Sequence, residues 1–265
     1  MYQFTYHRPE SLSAAVAQLT ADSDAKVLAG GQTLLPTMKQ RLASPSAIID
    51  LGRIAGLAGV SREGEAIVIG AMTRHADVAT NAAVHQAIPA LAALAEEIGD
   101  PQVRNRGTIG GSLANNDPAA DYPAAALALG ATIVTNTREI AAEAFFKGLF
   151  ETSLGAGEII AKVRFPIPQK AAYVKFPNPA SRYALVGVFV AKTAGGVRVA
   201  VTGAGANGVF RASAFEAALA SNFSAAAVAN VKIPADGLNS DIHADAAYRA
   251  HLIGVLARRA VTAAG

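Results

Sequence analysis

The chain has 265 residues, more than one hydrophobic core usually organises, which predicts about two or three packed units. Hydrophobic residues make up 52% of it and charged residues 16%, but much of the apolar share is alanine. No apolar run reaches the roughly 20 residues that span a bilayer. The absence of cysteine excludes disulfides, thiol catalysis and cysteine-held zinc or iron–sulfur clusters.

The charge and histidine patterns exclude further classes of function. The net charge of +3 comes from Lys and Arg spread along the chain, without the basic stripe that favours nucleic-acid binding. The five histidines have no metal-ligand spacing, so each is predicted to be a surface or packing residue. The N-terminus lacks the pattern of a signal peptide, which predicts a cytoplasmic location. We therefore predict no metal site, no nucleic-acid partner and no transmembrane segment.

The first predicted elements surround a pair of glycines. Ser11 precedes apolar residues at helical spacing and is a good N-cap, which predicts a short helix. Residues 26–29 are predicted to form a buried strand that leads into glycines 30–31, and residues 34–42 return to helical spacing. This strand–loop–helix corner directs free amides and the positive end of a helix to one place, which suits a pyrophosphate. A further strand is predicted at residues 47–50.

Three elements precede a second glycine-rich segment. Residues 65–70 are predicted to form a strand, because they are rich in isoleucine and valine. Thr73 is predicted to cap a short helix that ends at Asn81. The alanine-rich stretch over residues 84–98 predicts a longer helix.

The second glycine segment is Thr-Ile-Gly-Gly-Ser at residues 108–112. Together with Gly107, its glycines are too dense for the interior of a regular helix or strand, so a loop is predicted. Asp117 is predicted to cap a helix over residues 118–129. Two glycine segments that each lead into a helix predict one diphosphate-bearing cofactor, bound from two sides.

The last third of the chain predicts an antiparallel sheet backed by helices. Strands at residues 131–136 and 158–165 come before it, and two prolines then mark a boundary near residues 166–178. Strands are predicted near residues 173–176, 184–192 and 197–202, and helices near residues 212–220, 224–230 and 244–259.

Residues 203–208 match the dinucleotide pattern G-x-G-x-x-G and follow a strand. The segment comes late in the chain, and the second parallel strand with its terminal acid is missing from the expected place. We therefore predict a glycine-rich turn here and no nicotinamide site.

Four segments in one order resemble the flavin-binding medium subunit of the molybdenum hydroxylases, the family of carbon monoxide dehydrogenase and xanthine dehydrogenase. A single short string would be unspecific, but four in the family's order are specific. Two further segments, at residues 175–184 and 246–252, resemble the family's C-terminal domain, so the resemblance covers nearly the whole chain. The four segments are AGGQTLLPTMK at residues 29–39, IGAMT at 69–73, QVRNRGTIGG at 102–111 and DPAAD at 117–121.

The resemblance implies an α+β fold. It consists of a two-subdomain FAD-binding domain of the vanillyl-alcohol oxidase type, followed by a smaller C-terminal α+β domain with an antiparallel sheet. We place the FAD-binding domain at residues 1–170, with subdomains at about 1–55 and 56–170. The C-terminal domain of the flavoprotein medium subunit is placed at residues 171–265.

The resemblance also implies a site for non-covalent FAD, with its diphosphate between the two glycine segments. Asp121 matches an acid that contacts the ribityl chain, and Lys175 matches a lysine near the flavin, where a cation favours the reduced ring. Ile98 is placed against the flavin ring, and Tyr183 against the flavin or the adenine. No residue is predicted to be catalytic. The residues predicted to bind the cofactor are Ala29, Gly30, Gly31, Gln32, Thr33, Leu34, Leu35, Thr108, Ile109, Gly110, Gly111, Ser112, Asp117, Asp121 and Lys175.

Structural roles remain as alternatives for several of these residues. Asp121 is also suited to the first turn of a helix, and Asp117 to a helix cap. Lys175 is equally well explained as a solvated strand residue, and Ile98 and Tyr183 as packing residues.

The resemblance implies an FAD-binding oxidoreductase subunit of the carbon monoxide or xanthine/aldehyde dehydrogenase type. It would pass electrons from iron–sulfur clusters on a small partner, through FAD, to quinone, NAD or oxygen. Iron–sulfur clusters and the molybdenum cofactor are expected on partner subunits only, in a dimer of heterotrimers with a large molybdenum subunit. Two alternatives stay open: a self-contained FAD-dependent oxidase or reductase, and an assembly or binding protein that has lost the flavin.

Overall fold

The computed structural model describes all 265 residues. Its strands form a three-stranded, a five-stranded and a four-stranded sheet, in that order along the chain, and one small hairpin. None of its helices is both long and apolar enough to cross a membrane. The chain therefore has a mixed helix and sheet fold, as predicted.

The first sheet is parallel and lies at the start of the chain. Its elements are β1 (Thr5–His7), α1 (Leu12–Ala21), β2 (Lys26–Leu28), α2 (Leu34–Lys39) and β3 (Ala47–Asp50). Both β1 and β2 pair in parallel with the central strand β3. The Ser11 hydroxyl accepts a hydrogen bond from the Ala14 amide at 3.2 Å, so the predicted helix cap is confirmed. The strand at β2 is also confirmed, but its predicted burial is wrong: Lys26 is exposed and Val27 and Leu28 are half-buried, because β2 is at an edge of the sheet.

The second sheet is antiparallel and has the order β4-β5-β10-β6-β7. Every residue of α8 is buried, so this helix forms the centre of the largest apolar core of the molecule. The elements are β4 (Val60–Glu63), β5 (Ala66–Gly70), α3 (His75–Thr80), α4 (Ala82–Ala87), α5 (Pro89–Glu96), α6 (Pro101–Arg104), α7 (Ile109–Asn115), α8 (Tyr122–Leu129), β6 (Thr132–Thr135), β7 (Glu139–Ala141), α9 (Ala142–Phe145), β8 (Phe146–Gly148), β9 (Glu151–Thr152) and β10 (Ile160–Pro166).

One helix prediction and one cap prediction in this part are wrong. The single helix predicted over residues 84–98 is two helices, because Pro89 has no amide hydrogen to continue α4 and instead occupies the first turn of α5. Thr73 does not cap α3. Its hydroxyl accepts from the Gly59 amide at 2.9 Å and donates to the Gly59 carbonyl at 3.0 Å, so it ties two loops together.

The third sheet is antiparallel and is backed by helices, as predicted. Its elements are β11 (Lys170–Pro177), β12 (Ala184–Thr193), β13 (Gly196–Thr202), β14 (Phe210–Arg211), α10 (Ser213–Ser221) and α11 (Ala246–Ala264). Strand β12 is buried on both faces: Val186, Val188 and Val190 belong to the core that contains α11, whereas Phe189 belongs to the core around α8. The third sheet therefore packs between α11 and the middle of the chain.

The helix predicted at residues 224–230 is absent. Successive turns with i to i+3 hydrogen bonds occupy this stretch, such as the one from the Ala227 amide to the Ser224 carbonyl at 3.2 Å. The segment at residues 203–208 connects β13 to the antiparallel strand β14, and no helix follows it directly. The predicted glycine-rich turn is therefore confirmed.

A buried arginine joins α11 to this turn. The Arg249 guanidinium, 2% exposed, donates to the carbonyl of Leu185 at 2.6 Å and to that of Gly203 at 3.0 Å. It also donates to the Asp241 carboxylate at 2.8 Å. We expect Arg249→Met to lower the free energy of unfolding by about 2–4 kcal/mol, because buried acceptors lose their donor.

Urea unfolding of the full chain measures this change. Arg259→Met, on the exposed part of the same helix, is the matched control and should change the free energy of unfolding by less than about 0.5 kcal/mol. Equal unfolding curves for the two variants would show that the buried guanidinium does not hold this junction.

Candidate functional site

A large cleft of about 910 Å³ is lined by residues of the first two sheets and of the loops and helix starts next to them. Its volume lies within the range of small-molecule and cofactor sites. The wall contains residues 26–34 from the first glycine corner, most of residues 107–121 from the second, and residues 158–160. Ser181 and Tyr183, just before β12, also lie on the wall. The two segments singled out in the sequence therefore meet at one cleft.

The two glycine segments are in contact backbone to backbone. A Cβ atom on Gly30 would lie 2.2 Å from the Arg106 carbonyl oxygen and 2.7 Å from the Cα of Gly107, so only glycine fits. Helix α2 begins at Leu34, on the cleft wall, which places the positive end of its dipole at the cleft.

Helix α7 begins inside the second glycine segment, so the predicted loop is wrong from Ile109 onward. Thr108 is the N-cap, and its hydroxyl accepts from the Gly111 amide at 3.2 Å. Gly110 packs against Ala71, where an added Cβ would lie 2.5 Å from the alanine Cβ, and its amide donates to the Ala71 carbonyl at 2.8 Å. The glycine is needed here so that the helix can lie directly against the end of β5.

Most of the residues predicted to bind a cofactor lie on the cleft wall, and three do not. Leu35 packs against Gly31, Ile109 lies in the buried core, and the side chain of Lys175 ends at the Asp121 carboxylate behind the wall. Ile98 and Tyr183 are also on the wall. The predicted residues on the wall are Ala29, Gly30, Gly31, Gln32, Thr33, Leu34, Thr108, Gly110, Gly111, Ser112, Asp117 and Asp121.

Asp117 closes a turn at the cleft wall. Its carboxylate accepts from the Ala119 amide at 2.8 Å, and the chain then turns before α8 begins at Tyr122. The helix predicted over residues 118–129 is therefore too long at its start, because Asp117 caps a tight turn instead of the helix.

Asp121 is the buried acid of the cleft. Its carboxylate accepts from the Tyr173 hydroxyl and lies 3.0 Å from the Lys175 ammonium, with both partners on β11. Burial raises the pKa of the Asp121 carboxyl, and the charge of Lys175 acts in the opposite direction. The alternative of a solvated strand lysine is wrong, because the Lys175 side chain is 1% exposed.

Glu158 is a wall residue that the sequence analysis missed. Its carboxylate accepts from Nε and Nη2 of Arg138, both at 2.9 Å, from the Thr135 hydroxyl at 2.7 Å and from the Gly155 amide at 2.8 Å. The bonds from Arg138, followed by the other donors, hold the pKa of Glu158 well below its usual range. No short motif marks this pair, because its members are on neighbouring elements and not at helical or strand spacing.

His75 is a second wall residue that the sequence analysis did not place at the cleft. It is 5% exposed, and its ring lies 5.3 Å from the ring of Tyr122. Burial, with a smaller contribution from the charge of Arg104, lowers the pKa of His75 to about 4. The His75 amide donates to the Gly107 carbonyl at 3.0 Å, so the residue lies directly behind the second glycine segment. Because of the lowered pKa, its imidazole is neutral at neutral pH.

The donor set of the cleft fits an anionic diphosphate group. Two helices begin at its wall, and both direct positive partial charge to it. The amides at the start of α7 already donate within the protein, so free amides come from the first glycine segment. The neutral side chains of Gln32, Thr33 and Ser112 add further donors.

Residues 2–168 match the family described as the FAD binding domain in molybdopterin dehydrogenase. The chain belongs to this family. It is therefore an FAD-binding oxidoreductase subunit of the molybdenum hydroxylases, as the resemblance predicted.

Relatives and solved structures match along nearly the whole chain. The carbon monoxide dehydrogenase medium chain of Hydrogenophaga pseudoflava is 37% identical and covers 99% of this chain and 97% of its own length. The nicotine 6-hydroxylase medium subunit of Paenarthrobacter nicotinovorans is also 37% identical, with 98% and 96% covered. A solved structure of carbon monoxide dehydrogenase from Hydrogenophaga pseudoflava, lacking the Mo-pyranopterin moiety, superposes with a TM-score of 0.89 at 38% identity, covering 99% and 97%.

The buried His75 predicts a specific dependence of stability on pH. In the unfolded chain this histidine takes up a proton near pH 6.5, whereas in the folded chain it stays neutral down to about pH 4. The unfolded state therefore gains stability as the pH falls through this window. We expect His75 to lower the free energy of unfolding by about 2 kcal/mol between pH 6.5 and 5.

Urea unfolding of the wild type and of His75→Gln, each at both pH values, isolates this contribution. The variant should lose less stability than the wild type over the same window. His251→Gln, which removes an exposed histidine from α11, is the control and should follow the wild type. Parallel curves for the wild type and His75→Gln would contradict the burial argument.

Proposed function

We propose that the chain takes electrons from iron–sulfur clusters on a small partner subunit and passes them through FAD to an external acceptor, which is quinone, NAD or oxygen. The observation that carries the proposal is the backbone contact of the two glycine segments at one cleft of about 910 Å³, in a chain that belongs to an FAD-binding family. When bound, the flavin supplies the chemistry, because it exchanges electrons both singly and in pairs.

The residues of this chain would bind and orient the cofactor. Residues 30–34 would hold the diphosphate from one side with amides and the Thr33 hydroxyl. The Thr108–Ser112 segment would hold it from the other side with its two hydroxyls and the positive end of α7. Asp121 would accept hydrogen bonds from the ribityl hydroxyls, and Ile98 and Tyr183 would pack against the flavin ring. Their common location on the cleft wall supports these roles.

The domain division is also part of the proposal. We place an FAD-binding domain of the vanillyl-alcohol oxidase type at residues 1–170, with subdomains at about 1–55 and 56–170, and a C-terminal domain at 171–265. The order of the three sheets supports this division, since each is built from one continuous part of the chain.

The proposed partners are a small iron–sulfur subunit and a large molybdenum subunit, assembled as a dimer of heterotrimers in the cytoplasm. The names of the relatives as medium chains or medium subunits support a multisubunit enzyme. A carbon monoxide dehydrogenase and a nicotine hydroxylase have medium subunits that are equally similar to this chain. We infer that the substrate is selected on the large subunit and not by the flavin subunit.

The absorption spectrum of the protein purified with its natural partners tests the proposal, followed by heat release and identification of the cofactor. FAD together with iron–sulfur absorption is the expected result. FAD on the lone chain, without any co-purifying partner, would favour a self-contained oxidase or reductase. No flavin in either preparation would overturn both enzyme functions.

The variant Gly111→Asp tests the location of the diphosphate. A Cβ on Gly111 would lie 3.0 Å from the Thr108 hydroxyl oxygen and 3.5 Å from the Ala29 Cβ, so a side chain there projects between the two glycine segments. A carboxylate at this position would repel a diphosphate, and we expect loss of FAD retention with the fold preserved.

Flavin content per folded chain is the measurement, with circular dichroism as the check on folding. Gly195→Asp is the control and should retain FAD, because it lies in an exposed turn where a Cβ would make only an ordinary contact with the Thr193 hydroxyl at 3.7 Å. Normal flavin content in Gly111→Asp would remove Gly111 from the diphosphate site.

A further inference from the structure

Lys175 lies in a buried junction between the third sheet and the cleft wall. Its ammonium is 3.0 Å from Oδ1 of Asp121 and donates to Oδ2 at 3.2 Å, and its side chain is 1% exposed. The same ammonium donates to the backbone carbonyl of Glu97 at 2.8 Å. Lys175 does not reach the cleft itself, whereas its partner Asp121 does.

A second residue of the same strand binds the same carboxylate. Tyr173 is two residues before Lys175 on β11, and alternate residues of a strand point to the same side. Its hydroxyl donates to Oδ1 of Asp121. Both side-chain donors to the buried acid of the cleft therefore come from the third sheet, beyond the residues that match the FAD-binding family.

The end of α5 is fixed by two cationic side chains. The carbonyls of three consecutive residues accept from them: Glu97 from the Lys175 ammonium at 2.8 Å, and Ile98 and Gly99 from Nη1 of Arg104, both at 3.1 Å. Cations that bind the last carbonyls of a helix stabilise its end. Ile98, in the middle of this turn, is the residue that lines the cleft.

We propose that Lys175 is a positioning residue for the bound flavin: it holds Asp121 and the Ile98 turn in place at the cleft wall and cancels the charge of the carboxylate there. This inference rests on the proposed function, since it assumes that FAD occupies the cleft. In this proposal Lys175 acts on the flavin through Asp121 and does not contact the flavin directly. The pair contributes no net charge, so the loss of either member leaves one uncompensated charge at the wall.

The midpoint potential of the bound FAD separates this role from a general loosening of the structure. Reduction adds negative charge to the flavin, so a nearby negative charge lowers its potential and a positive charge raises it. At pH 8 we expect a lower potential for Lys175→Met, which leaves the carboxylate alone, and a higher one for Asp121→Asn, which leaves the ammonium alone. The double variant should return close to the wild-type potential.

FAD affinity provides the second readout. We expect each single variant to weaken FAD binding by roughly tenfold or more, because a buried charge loses its partner. Tyr173→Phe keeps all charges and removes one donor, so a several-fold loss of affinity is expected. Lys170→Met, at the exposed start of the same strand, is the matched control and should change neither the affinity nor the potential.

The measurements are made on the full chain purified with its partners. Should Lys175→Met fail to fold, Asp121→Asn and the charge-free double variant carry the test. A wild-type potential in Asp121→Asn, together with a displaced potential in the double variant, then overturns the role of Lys175.

The outcomes also separate this inference from the proposed function. A wild-type protein without FAD overturns the proposed function and this inference with it. A wild-type protein with FAD, whose two single variants shift the potential in the same direction or not at all, overturns only the role of Lys175.

Discussion

The contact on which the cleft depends is the one between Gly30 and the backbone of Arg106 and Gly107. A single methyl group on Gly30 would lie 2.2 Å from a carbonyl oxygen, so any side chain would push the parallel first sheet away from the segment before α7. Gly110 makes a comparable contact with the end of β5. These glycines are therefore required by packing before any ligand binds, and the same packing brings two helix starts to one place.

The charged residues at the cleft wall are paired or kept neutral, because burying an unpaired charge is unfavourable. Asp121 is paired with Lys175, Glu158 is paired with Arg138, and His75 is kept neutral by burial. Unpaired buried charges would cost several kcal/mol each. With its buried acids compensated, the wall can present neutral hydroxyls and amides to an anionic group. Electrostatic suitability for a diphosphate thus depends on pairs whose second members lie outside the glycine segments.

Local signals predict much of the fold, whereas contacts between distant segments do not follow from them. The cap at Ser11 and the strand at Ala47–Asp50 follow from side-chain chemistry and apolar spacing within a few residues. Gly110 was predicted to be in a loop because glycine disfavours helices, but its tertiary contact with Ala71 requires glycine inside one. The glycine segments of the site could be identified from the sequence because paired glycines are a local pattern. His75 and Glu158 were not, because only the folded chain brings them to the cleft.

The site extends beyond the part of the chain that defines the family. The family match ends at residue 168, but Tyr183 lies on the wall, and Tyr173 and Lys175 hold the acid of the cleft from behind. A chain that ended near residue 170 would keep both glycine segments but lose both side-chain donors to the Asp121 carboxylate. The third sheet therefore supplies the partners that compensate the buried acid of the cleft. This agrees with relatives that match over nearly the whole chain.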